Sequence, residues 1–144
     1  MRQRRYINAL EQHGVVCLKG HFASEDRRCR KCGNQWTAPV EKQGDVNLAL
    51  HLIADAYNDL FDHCYLVTAD SDQAATSQML KANFPDKKLT SLVITGRSHS
   101  KHILSYADAK ITINAGHLER ALFPKFIPGA KAILRPTEYD PPGG

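Results

Sequence analysis

Three aspartates carry the chemistry that this sequence suggests. Asp45 lies in Glu41-Lys42-Gln43-Gly44-Asp45-Val46-Asn47, at the mouth of an amphipathic segment. Asp70 and Asp72 flank Ser71 just after the apolar run Cys64-Tyr65-Leu66-Val67-Thr68-Ala69. A strand that ends in Asp-x-Asp sets two carboxylates at the carboxyl edge of a sheet, where open α/β sheets bind their ligands. Carboxylates gathered there repel one another unless a hard divalent cation lies between them, and Mg²⁺ or Mn²⁺ suits oxygen donors. The expected chemistry is metal-assisted hydrolysis of a phosphodiester. Asp45, Asp70 and Asp72 are its catalytic metal ligands, and Lys42, Asn47 and Ser71 its candidate substrate contacts, with an ordinary solvated lysine and a polar first-turn residue as the alternatives for Lys42 and Asn47. Each acid also has a structural reading, because Asp and Ser cap helices and an acid in a first turn meets the helix dipole. A capped helix needs one acid, however, and the chain supplies two at one of these points.

Cys29-Arg30-Lys31-Cys32-Gly33 has the spacing of half a zinc site. His21 is the nearest further ligand in sequence, and a dimer sharing the site is the other way to complete it. The alternative is two free thiols in a loop. Trp36, in the same segment, either stacks on a base or packs the loop down. Arg97-Ser98-His99-Ser100 follows a strand and Gly96, and polar or basic residues that open a helix suit phosphate binding. Arg97 and Ser98 are therefore candidate substrate contacts, with a capped surface helix as the alternative. No glycine-rich phosphate loop and no nucleophile–histidine triad can be placed.

The elements that must position these groups follow from periodicity. Tyr6, Ile7, Ala9 and Leu10 recur at helical spacing and Gly14 ends that helix. Val15-Val16-Cys17-Leu18 reads as a short buried strand, and residues 19–40 as a long loop or insertion. Val46, Ala49, Leu50, Ile53, Ala56, Tyr57 and Leu60 mark a helix stripe expected to face the core. Strands are expected at 65–68, 89–94 and 110–113, and helices at 73–83, 98–107 and 115–122. This alternation implies a parallel sheet with helices on its faces. Pro124, Pro128, Pro136, Pro141 and Pro142 predict an extended tail over 124–144 that frays at Gly143-Gly144.

The 144 residues fit one domain, and 42% hydrophobic with 24% charged residues is ordinary globular composition. A net charge of +4 leans weakly towards an anionic partner. No apolar stretch approaches the roughly 20 residues that span a bilayer. A membrane partner is not expected, and the reading is cytoplasmic, where cysteines are thiols or metal ligands rather than disulfides.

Glu41-Lys42-x-x-Asp45-Val46-Asn47-x-Ala49, Asp55-Ala56 and Leu66-Val67-Thr68-x-Asp70-Ser71-Asp72 resemble the NYN domain. The likeness is to its LabA-like (DUF88) branch within the PIN-like ribonuclease superfamily. Arg2-Gln3-x-x-Tyr6-x-x-Ala9-Leu10, Gly20-x-Phe22, Ala107-Asp108, the segment from Leu118 to Pro124, and Arg135-Pro136 agree with it. The resemblance implies a PIN-like three-layer α/β/α sandwich over 1–123 and Mg²⁺- or Mn²⁺-dependent cleavage of RNA, single-stranded in the first instance. Such proteins open with an apolar strand ending in a metal-binding aspartate, which nothing before Tyr6 supplies. The fold is therefore expected to be N-terminally incomplete: Met1 is an internal start, or the chain is a fragment that lost activity. The alternative function is a catalytically inactive PIN-like module that binds RNA or a protein. A phosphatase or other phosphoryl-transfer enzyme is a third.

Overall fold

A computed structural model describes residues 2–129 and 132–140. The chain forms two compact units, Leu18–Thr112 and the pair of segments Met1–Cys17 and Ile113–Gly144.

In the unit spanning Leu18–Thr112, the residues expected to form a loop make an antiparallel hairpin. Its strands are β1 (His21–Arg28) and β2 (Gln35–Lys42), with His21 opposite Lys42 at the open end and Arg28 opposite Gln35 at the tip. Charged residues on both strands and Pro39 hid this ribbon from periodicity, since no face of it is apolar throughout. Gly20 is required just before β1, because a Cβ there would collide with the Lys42 carbonyl oxygen and the Glu41 carboxylate. Gln43, left-handed at φ 76°, turns the chain from β2 into α2 (Gly44–Tyr57).

A three-stranded parallel sheet follows, in the order β3 (His63–Val67), β4 (Lys88–Ile94), β5 (Ala109–Ile113). The crossover from β3 to β4 is a 3₁₀ turn, Ser71–Gln73, running into α3 (Ala74–Asn83), and α4 (Lys101–Leu104) lies between β4 and β5. Leu52 and Ala56 of α2, Leu66 of β3, Leu80 of α3, Leu89 of β4 and Ile103 of α4 form one buried cluster. The chain is thus of mixed α/β class, as the alternation predicts.

The expected inward stripe of α2 is only partly right. Leu52, Ala56 and half-buried Ile53 face the core, while Val46, Leu50, Tyr57 and Leu60 are exposed. Leu52 fits no position of the expected stripe, and the helix is apolar on two faces. The exposed face shares a groove of about 470 Å³ with Ala75 and Met79 of α3. The helix expected over 98–107 shrinks to the single turn of α4, capped by Ser100 rather than Ser98.

Asp108 clamps the sheet. Its carboxylate accepts the Leu89 amide at 2.7 Å and both of its oxygens meet Lys81 Nζ at 3.1 Å. The Leu89 amide and then the Lys81 ammonium hold its carboxyl below the usual range.

In the other unit, α1 (Arg2–Gln12) ends as expected near Gly14, whose φ of 81° favours glycine. Val15, Val16 and Leu18 are exposed coil rather than a buried strand. α5 (Ala115–Arg120) carries a capping box: Asn114 accepts the His117 amide and donates its own to His117 Nδ1. The described tail contains the extended backbone its prolines predict: β6 (Phe126–Ile127) and β7 (Ile133–Leu134) pair antiparallel, and Ile127 and Ile133 pack with Ala9 against Phe123. Arg135 fastens it, donating to the Phe123 carbonyl at 2.6 Å and pairing with Asp140 at 2.8 Å. The expected frayed end at Gly143-Gly144 lies outside the described residues.

Candidate functional site

The acidic edge is built by three chain entrances on one side of the sheet. β3 and β4 run parallel with Val67 opposite Leu92, so both strands deliver their following loops to the same edge. After β3, the Thr68 hydroxyl accepts the Asp70 amide, and Asp70 Oδ1 accepts the Asp72 amide, each at 3.0 Å. Asp70 is therefore the N-cap of the 3₁₀ turn, the structural role open to it from sequence, and keeps its second carboxylate oxygen clear of that bond. Asp45 stands in the first turn of α2. Gln73 joins the two patches: its buried amide donates to the Asp45 carbonyl at 3.0 Å, while its Oε1 accepts from Thr76. Asp45, Asp70, Ser71 and Asp72 are exposed, and Asn47 is half-buried one turn along α2.

The loop after β4 arrives at the same edge. Gly96, at φ 90°, turns it, and exposed Arg97 and Ser98 stand between the strand and the Ser100 cap of α4. His99 is structural, because Ser91 Oγ lies 3.0 Å from its Nδ1 and Thr112 Oγ1 lies 3.4 Å from its Nε2. Lys42 forms an ion pair with Glu25 across the hairpin, and that ammonium is the main reason Glu25 titrates below its usual range.

Among the described residues, no three His, Cys, Asp or Glu side chains converge closely enough to hold a metal ion. The three aspartates therefore do not make a closed cage. Their donor chemistry, exposed carboxylates at one sheet edge, fits a hard cation held through one or two carboxylates and completed by water and phosphate oxygens.

The zinc ligands expected from sequence separate. Cys29 and Cys32 occupy the hairpin tip and His21 its open end, about 25 Å away along an extended strand. His21 instead shares a 3.1 Å hydrogen bond with Gln43 Oε1, beside the start of α2. An antiparallel ribbon puts the two ends of one strand as far apart as its length allows, and residue spacing alone does not reveal that. Cys64 is half-buried on β3, and burial pushes its thiol up to about 11, a core thiol.

Gln73 and His99 are the supports that motif reading missed. Gln73 was detectable: with Thr76, Ser77 and Leu80 it forms the i, i+3, i+4, i+7 face that α3 buries.

No protein-family model matches the chain. It is similar to 6-hydroxy-3-succinoylpyridine 3-monooxygenase HspA of Pseudomonas putida (strain DSM 28022 / S16), 35% identical over 157 residues. That alignment covers 95% of this chain and 50% of HspA, so the chain spans half the length of this relative. A crystal structure of a protein of unknown function from Vibrio parahaemolyticus RIMD 2210633 shares the fold, with a TM-score of 0.56 and 23% identity. The match covers 78% of this chain and 61% of that one. No helix among the described residues is long and apolar enough to cross a membrane.

Proposed function

We propose that this chain is the acidic-edge portion of a PIN-like, NYN-type domain of three-layer α/β/α architecture that hydrolyses phosphodiester bonds in single-stranded RNA. One observation carries the reading. Buried Gln73 ties the start of α2 to the turn after β3, so that Asp45, Asp70 and Asp72 share one edge rather than serving as unrelated caps. Arg97 and Ser98 reach that edge from the end of β4 and are the phosphate contacts. Lys42, engaged by Glu25, yields that role to them. Asp70 is oriented by its cap bond, and Asp45 and Asp72 are the exposed bases that accept the proton of the attacking water. Water adds to phosphorus as one of these two carboxylates takes its proton, the bond to the leaving ribose oxygen breaks, that oxygen takes up a proton from solvent, and a phosphate end and a hydroxyl end result. One or two of these carboxylates would hold Mg²⁺ or Mn²⁺, which would supply the positive charge that lets an anionic backbone approach them.

The 35% identity to HspA favours a second reading, in which the chain is half of a protein acting on a hydroxypyridine. The readings part on substrate. Incubation of the purified chain with labelled single-stranded RNA and Mn²⁺ is expected to give fragments that are absent without the metal. Retention of RNA without cleavage would assign a non-catalytic RNA-binding module instead. Turnover of 6-hydroxy-3-succinoylpyridine, with RNA left intact, would assign the second reading.

A further inference from the structure

The hairpin tip holds a feature that the acidic edge does not use. The six-residue turn from Cys29 to Asn34 is closed by two backbone bonds, the Cys29 amide to the Asn34 carbonyl at 2.8 Å and the Gly33 amide to the Cys29 carbonyl at 2.9 Å. Gly33 sits at φ 74°, a conformation that glycine adopts without strain, and this folds the chain back directly after Cys32. The turn holds Cys29 and Cys32 within one closed bend, Cys32 exposed and Cys29 half-buried. Arg27, Arg28, Arg30 and Lys31 flank the pair in sequence. The turn thus presents two soft donors, held by a closed bend, in a basic stretch of the chain.

We propose that Cys29 and Cys32 form one half of a tetrathiolate Zn²⁺ site that a second copy of this chain completes with the same two residues. Structural zinc takes four ligands in a tetrahedron. At this tip the described residues of one chain offer two, no third His, Cys, Asp or Glu standing with them, and His21 lies at the far end of the ribbon. The ribbon itself calls for a staple. Neither β1 nor β2 contains a buried residue, and an isolated two-stranded hairpin is marginal in water. Metal bound at the tip becomes folding free energy for such an element. Charge fits as well, because four thiolates on one Zn²⁺ leave a centre of formal charge about −2 among the basic side chains of two tips. The inference is independent of the RNA reading, which rests on the opposite end of the hairpin.

The test is zinc content and solution mass of the full chain, purified without chelator after growth with added zinc. The expected result is about one zinc per two chains, on a dimer that a chelator converts to monomer. Refilling with Co²⁺ should give the sulfur-to-metal charge-transfer and tetrahedral ligand-field bands of a tetrathiolate centre. A Cys29→Ser, Cys32→Ser double variant should lose the zinc at least tenfold and run as a monomer. One zinc per chain on a monomer would overturn the proposal, as would metal-free protein, with the cysteines reduced or disulfide-bonded, or a dimer indifferent to chelation. The wild-type stoichiometry and mass decide the matter even if the double variant misfolds.

Discussion

The sheet body and the hairpin lie next to each other in sequence and are held in opposite ways. β3, β4 and β5 with α2, α3 and α4 enclose Leu52, Ala56, Leu66, Leu80, Leu89 and Ile103, and add the Asp108 clamp between Leu89 and Lys81. β1 and β2 enclose nothing; they hold their shape through ladder bonds, the Lys42–Glu25 pair and the Thr37–Asp26 hydrogen bond. Burial makes the body insensitive to what surrounds it and costly to disturb. Exposure makes the ribbon cheap to disturb and dependent on what binds its tip. The candidate catalytic residues stand on the rigid region, where geometry can be kept, and the thiol pair stands on the other.

That contrast can be broken most severely at Leu80, which is fully buried on α3. Leu80→Ala is expected to cost about 2–5 kcal/mol, read as a lowered denaturation midpoint, since it removes apolar contact and leaves a cavity. Asp108→Ala comes next. It strands the Leu89 amide and leaves the Lys81 ammonium only the Pro85 and Lys87 carbonyls, for an expected loss of about 1–3 kcal/mol in the same measurement. The acid limb of the stability curve sharpens the point. Because the Asp108 carboxyl is depressed in the folded state, its contribution is complete above its ordinary value of 3.8 and is lost as pH falls through the lower folded value. The wild-type midpoint should therefore drop on acidification below about pH 4, and Asp108→Asn should flatten that drop. The smallest effect belongs to the ribbon. Trp36→Ala, at an exposed position, should move global stability by no more than about 0.5 kcal/mol, and a larger change would show that the hairpin is not the loosely held region described here.

What could be read from sequence divides along the same line. The helix–strand alternation of the body was legible because each element has an apolar face to bury, and polar residues interrupt those faces at the element ends where Asp45, Asp70 and Asp72 stand. α2 misled because Val46, Leu50 and Tyr57 are apolar and exposed, so its strongest stripe is not its core face. The hairpin was unreadable because it buries nothing and so imposes no alternation. The extended course of the tail was legible but its anchoring was not, because proline argues against helix and says nothing of the short β6–β7 pair or the Arg135 contacts. His21 and the cysteine pair looked close in sequence, and β1 keeps them apart.

The central claim is that the edge carboxylates act through their charge on an RNA phosphodiester rather than only as caps. Asp70→Asn separates the two roles, because asparagine caps a helical turn as well as aspartate does and lacks the charge. Cleavage of labelled single-stranded RNA in Mn²⁺ should fall about 100-fold or more in the variant, the scale of losing one preorganised charge-stabilising group, with the melting temperature unchanged. Equal cleavage by both proteins, at equal melting temperature, would contradict the account and leave Asp70 a cap.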